Sequence, residues 1–223
     1  MMNRTEHYIS NDMLYRAKKE FAFDAFKTPI NNPTGNFFYD PWKIKDEYKN
    51  TVWDEILKTL PYSIGETRLI NLKYGVCYQS HADIDDRYHL NIQGDSSYII
   101  NLDDEILYKL NNDGYWYDFN AGPRHTAINV GYHDRIQLVV RKLLLLNNVI
   151  NPIKISILSK VNDIFENRFI FDNAISSLLN RYNKEGILSN FYPTENSVTF
   201  TINKYYLEEL KKCLPSNFYI VIL

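Results

Sequence analysis

Residues Gln79 to Ile92 read QSHADIDDRYHLNI, which places two histidines, three aspartates and one arginine within fourteen residues. The second half, RYHLNI, alternates polar and apolar residues with a period of two, the pattern of a β-strand. The first half is then the connection into that strand. Within it, His81 and Asp83 stand two residues apart. On extended backbone such a pair projects to the same face, so one metal ion can be reached by both side chains. A solvated polar turn has the same composition, and the pair alone does not choose between the two.

Working outward from this stretch, short β-like runs continue on both sides. TRLINLKYGVCY (67–78), SSYIINL (96–102), EILYKL (105–110), GYWYDF (114–119), HTAINV (125–130) and RIQLVVRKL (135–143) are separated by the turn signals QGDS, NNDG and GYHD. Short strands at this spacing predict an antiparallel sandwich or barrel, with NNDG as a hairpin turn between its neighbours. Residues 1–60 read as a helical and loop cover. In WKIKDEYKNTVWDEILKTL (42–60) apolar residues recur at helical spacing, with Pro41 at the first turn and Pro61 as the stop. The segment 26–41 before it, FKTPINNPTGNFFYDP, is turn-rich. After Asn147 the order becomes β-α-β-β-α-β, with a helix over 173–186 closed by Gly186, as in a ferredoxin-like split unit. The expected organisation is therefore a mainly β domain over 1–149 with N-terminal helices and a small α+β domain over 150–223.

Composition narrows the function. The 223 residues carry 25 Lys and Arg against 27 Asp and Glu, mixed along the chain, for a net charge of −2. No basic block offsets a run of phosphates, so duplex nucleic acid is not an expected partner. Cys77 and Cys213 form no metal or redox spacing. The first twenty-one residues are polar and lack the apolar core of a signal peptide. The apolar run VVRKLLLL is interrupted by charge and is too short to span a bilayer. These features lead to the expectation of a cytoplasmic protein without membrane segments.

The next residues give the His81–Asp83 pair its meaning. His125 begins the later strand HTAINV. Two histidines and one carboxylate can occupy one face of an octahedral ion and leave the opposite positions open, the arrangement of non-haem Fe(II) oxygenases. Arg135 follows across the GYHD turn, where a guanidinium can grip a carboxylate bidentately. Asp85 and Asp86 are rival carboxylates without the two-residue spacing, and Arg141 is a rival anion anchor. Arg124 and His133 read as turn or rim residues. His89 also fits a satisfied core histidine, and Arg87 a surface partner of Asp85 or Asp86. Tyr115, Trp116 and Tyr117 are first of all a packed strand; Trp116, Tyr117 and Asn129 are the candidates for lining a substrate.

This combination resembles the Fe(II)/2-oxoglutarate-dependent oxygenases, which have a double-stranded β-helix (jelly-roll, cupin-like) fold. Within them it is most similar to the aspartyl/asparaginyl β-hydroxylase-like branch. The likeness spans residues 67–144 and rests on His81, on Arg87-Tyr88-His89-Leu90 in the next strand, and on His125 leading to Arg135. The resemblance implies that His81 and His125 hold iron, that Arg135 binds the distal carboxylate of 2-oxoglutarate, and that Arg87 and His89 stand near that co-substrate. Asp83 departs from the branch, which often has glycine there, and completes the full triad of the wider superfamily instead.

What the resemblance implies is a dioxygenase using Fe(II), 2-oxoglutarate and O2. It would hydroxylate an unactivated C–H bond and release succinate and CO2. The expected substrate is an amino-acid side chain, free or within a peptide or protein, of Asp, Asn or Pro type. The C-terminal domain would dimerise the chain or present the substrate. Two other readings stand beside this one. A cupin-like metal enzyme would use the triad without 2-oxoglutarate and keep Arg135 as a structural residue. A non-catalytic jelly-roll binding module would use neither.

Overall fold

The computed structural model describes residues 2–21, 25–160, 175–194 and 197–223. They divide into two compact units: one comprises residues 1–80, 86–120 and 125–143, the other 81–85, 121–124 and 144–223. The first two residues of the helix expected over 173–186 lie outside the described residues.

In the first unit, β1 (Met2–Tyr8), α1 (Asn11–Glu20), β2 (Lys27–Pro29), β3 (Asn31–Asn32), β4 (Lys43–Ile44) and α2 (Val52–Leu57) precede eight further strands. These are β5 (Ile64–Leu72), β6 (Val76–Cys77), β7 (Arg87–Gln93), β8 (Ser97–Asn101), β9 (Ile106–Lys109), β10 (Tyr115–Phe119), β11 (His125–Asn129) and β12 (Arg135–Lys142). One sheet has the order β1-β10-β7-β12-β5-β2 and the other β6-β11-β8-β9. All pairings in both are antiparallel. The mainly β, antiparallel character expected from the sequence is thus present. The exchange of successive strands between two sheets is consistent with a jelly roll.

Several local expectations are corrected. TRLINLKYGVCY is two strands, because Gly75 at φ +70° turns the chain between β5 and β6. NNDG closes no hairpin: β9 pairs with β8 in one sheet, while β10 pairs with β1 and β7 in the other. The long helix over 42–60 is also absent. Its N-terminal part forms β4 and a 3-10 turn over Asp46–Tyr48. Asn50 then adopts φ +60°, and Thr51 caps α2 by accepting a hydrogen bond from the Trp53 amide at 3.3 Å. The Asp54 carboxylate returns to accept from the Asn50 amide at 3.1 Å, so the helix starts afresh there. β1 was not foreseen, since MNRTEHY has little strand propensity; it joins the sheet through pairing with β10.

The larger sheet accounts for the period-two alternation of RYHLNI. In β7 the even residues Tyr88, Leu90 and Ile92 enter an apolar core. That core also holds Leu14 and Ala17 of α1, Val52, Trp53 and Ile56 of α2, Trp116 of β10, and Ile136, Leu138 and Val140 of β12. The odd residues Arg87, His89 and Asn91 are buried as well. Their strand alternates in the usual way, yet its polar side does not face water.

In the second unit, β13 (Pro152–Ser159), α3 (Ser177–Lys184), β14 (Leu188–Pro193), β15 (Ser197–Asn203), α4 (Leu207–Cys213) and β16 (Phe218–Ile222) appear in that order. The sheet order is β14-β15-β13-β16, antiparallel throughout, which is the interleaving of a split β-α-β unit. The stretch before β13 is strapped down by amide groups. Asn147 Nδ2 donates to the carbonyls of Asn183 at 2.6 Å and Leu188 at 2.8 Å. Asn183 in turn bonds both the N–H and the C=O of Leu145.

Candidate metal centre

His81 and Asp83 lie on the connection between β6 and β7, and His125 is the first residue of β11. Each offers one ligand atom, and the three atoms lie within 4.8 Å of one another. His81 Nε2 stands 3.7 Å from Asp83 Oδ2. The Asp83 amide donates to the Ala121 carbonyl at 2.9 Å, which ties the segment carrying Asp83 to the one leading into His125. The donor set fits a divalent transition ion: imidazoles suit Fe, Zn, Cu and Ni, the carboxylate also suits Mn, and its charge offsets part of the ion's.

His125 is buried, opposite Asn101 of β8. The buried residues of these two strands pair in register, His125 with Asn101, Ala127 with Ile99 and Asn129 with Ser97, so they share one face. The Phe119 ring sits edge-on to His125, with centroids 4.8 Å apart, and edge-on to His89 at 5.5 Å. One aromatic side chain therefore contacts imidazoles from both sheets. Burial, first, and then the charge of Arg135 push the His89 imidazole well below the ordinary histidine range. Gln137 works the other way on it, though no hydrogen bond of normal geometry joins the two side chains.

Arg135, the first residue of β12, is only 1% exposed. Its guanidinium donates to the Tyr98 carbonyl at 3.4 Å and to Gln137 Oε1. Burial lowers it to about 10. Around it are buried polar atoms without a hydrogen bond among the described residues: Arg135 Nε, Gln137 Nε2, Asn91 Oδ1 and Ser97 Oγ. Asn91 and Gln137 are direct cross-strand partners, and Asn91 Nδ2 is committed to the Leu110 carbonyl at 3.2 Å. Polar atoms cost free energy when buried unpaired, so a group of them is the signature of a polar occupant, whether water or ligand. Sequence reasoning passed over Gln137, Asn91 and Ser97, since their strands read as ordinary; the missing signal was burial of the polar side.

The remaining candidates fall as follows. Arg87 is buried on the same strand face as His89. Trp116 is on the opposite, apolar side, with its indole N–H donated to Thr59 Oγ1 at 2.9 Å. Tyr117 pairs with His89 across the strands and bonds Asp113 through its hydroxyl. Asn129 Nδ2 is committed to the carbonyls of Leu72 and His133. Arg141 approaches Glu66, its Nε 3.4 Å from the carboxylate, and lies over the Phe37 ring. Burial pushes Glu66 up, but Arg68, Arg141, Lys27 and Arg87 together hold it below the usual carboxylate range.

No protein-family model matches the chain. No curated protein matches it either. Among solved structures, it is similar to the capsular polysaccharide assembling protein CapF from Staphylococcus aureus, at 14% identity and a TM-score of 0.31. CapF with the inhibitor 3-isopropenyl-tropolone aligns at 15% identity and the same TM-score of 0.31. In each case 46% of this chain is aligned, and the alignment spans 38% of the other protein's length. A likeness this slight carries no weight for function. No helix of the described residues is long and apolar enough to cross a membrane.

Proposed function

We propose that the chain is a metal-dependent enzyme on a cupin-like barrel, with a divalent ion held by His81, Asp83 and His125. The observation that carries this reading is the convergence of their ligand atoms within 4.8 Å of one another, with His125 brought from a separate segment of the chain to the His81–Asp83 pair. A bound Fe(II), Mn(II) or Zn(II) would supply Lewis-acid chemistry, and iron also redox chemistry, to a substrate at its open positions. The protein's own share is to hold the ligands in place, exclude water through the Phe119 face, and keep His89 neutral.

The finer reading is an Fe(II)/2-oxoglutarate-dependent dioxygenase that hydroxylates an amino-acid side chain, free or peptidyl. Arg135 favours it, as a buried cation with an N–H still to be satisfied, among other polar atoms that await an occupant. The second reading is the same metal centre without 2-oxoglutarate. The bonds from Arg135 to Tyr98 and Gln137 favour that version, since they already give the guanidinium a structural place.

Anaerobic titration with Fe(II) and then 2-oxoglutarate separates the readings. The dioxygenase shows a visible metal-to-ligand charge-transfer band that is lost in His125→Ala and weakened in Arg135→Ala. It also forms succinate slowly without added substrate. Stoichiometric metal with no band leaves the second reading. Folded protein that binds no metal sinks both.

A further inference from the structure

The second unit contains the segments 81–85 and 121–124, and one side chain of α3 meets both. Asn180 is buried, and its Nδ2 donates to the Ile84 carbonyl at 3.0 Å, one residue beyond Asp83. On the other side, a Cβ built on Gly122 would lie 2.6 Å from Asn180 Oδ1, 2.8 Å from its Cγ and 3.2 Å from its Cβ. The backbone at Gly122 can therefore come this close only because it has no side chain. Gly122 stands three residues before His125. The Asp83 amide bond to the Ala121 carbonyl closes the arrangement, because it joins the two segments that Asn180 touches.

We infer that Asn180 is a positioning residue for the metal ligand Asp83, and that α3 sets the placement of the segment that carries it. The inference rests on the proposed metal reading for its functional meaning, although its structural content stands apart from it. The physical basis is direct. A ligand on a connection between strands has no ladder to fix it, so its direction depends on what the neighbouring backbone groups bond to. The Ile84 carbonyl is buried with Asn180 as its donor, and loss of that donor leaves an acceptor unpaired away from water. Asp83 then loses its anchor on one side, and the ligand set loses preorganisation. This gives α3 a role in holding the segment that carries Asp83.

The test uses the full chain with Co(II) as the probe, read by competition with a chromophoric chelator and by its d–d spectrum. Asn180→Asp keeps the shape and removes the N–H donor. It should weaken Co(II) binding about tenfold, the lower end of the range for groups that orient metal ligands. Gly122→Ala should weaken it similarly by displacing Asn180. Leu210→Ala, a buried change on α4, is the control for loss of stability alone, and it should leave the affinity within about twofold. Hydrogen exchange supplies a second readout without metal: the Asp83 amide should exchange faster in Asn180→Asp than in wild type. Unchanged affinity together with unchanged exchange overturns the inference. Faster exchange in a protein that binds no Co(II) keeps the positioning role and rejects the metal reading.

Discussion

His89 shows what it means for a polar side chain to be placed by a strand and then buried. The imidazole is held neutral, so protonation is a cost that the folded state resists and the unfolded chain does not. The unfolded chain takes up the proton near the ordinary histidine value of about 6.5. The contribution of His89 to stability is therefore complete above about pH 6.5 and is lost as the pH falls below that value toward its depressed folded pKa. Urea unfolding at pH 7.5 and pH 5.5 should show a drop in wild type whose His89 share is about 1 kcal/mol. His89→Gln should show a smaller drop; an equal one would place the titration elsewhere. At the metal centre, His81→Ala and His125→Ala should each remove stoichiometric metal binding, measured by elemental analysis after gel filtration. The candidate ligands were readable at this scale because the H-x-D spacing and the later histidine are properties of the string. Asn180 was not, because nothing in NAISSLLNRYNKEG distinguishes one asparagine that bonds Ile84 from its neighbours.

At the scale of elements, most strand positions follow from alternation, while their partners do not. RYHLNI and HTAINV mark the starts of β7 and β11 and their ends to within one residue, whereas the placement of β9 and β10 in different sheets overrides the local hairpin signal of NNDG. The contact of α2 and the turn after it with the sheet yields two predictions. Trp53 is fully buried in the apolar core, and Trp53→Ala should destabilise the protein by about 3–5 kcal/mol in equilibrium unfolding. Thr59→Val leaves the buried Trp116 indole without its acceptor and should cost about 1–3 kcal/mol by the same measurement. A negligible loss for Thr59→Val would mean that water satisfies the indole. The helix expected over 42–60 failed for a local reason: Thr51 and Asp54 make a better N-terminus than the apolar period makes a continuation.

For the molecule as a whole, the consequence of the proposed metal is linkage. An ion that binds only the folded chain stabilises it by about 2.7 kcal/mol at one hundred times its dissociation constant. Co(II) or Zn(II) should therefore raise Tm in a concentration-dependent manner, a chelator should reverse the rise, and His125→Ala should abolish it. No shift in a protein that binds the metal stoichiometrically would mean that the unfolded chain binds it equally well.

By itself the sequence determined the period-two strands, the change to β-α-β-β-α-β after Asn147, the absence of a basic block, and the candidates His81, Asp83, His125 and Arg135. Each depends on residues close together in the chain or on composition. Only the tertiary structure decided that the polar face of β7 is buried, that Arg135 is bonded to Tyr98 and Gln137 yet keeps Nε bare, and that Asn180 holds the Ile84 carbonyl. Burial and hydrogen-bond partnership between distant residues arise from how strands are ordered in sheets, and a period of two is the same whether its polar side faces water or the inside of a barrel.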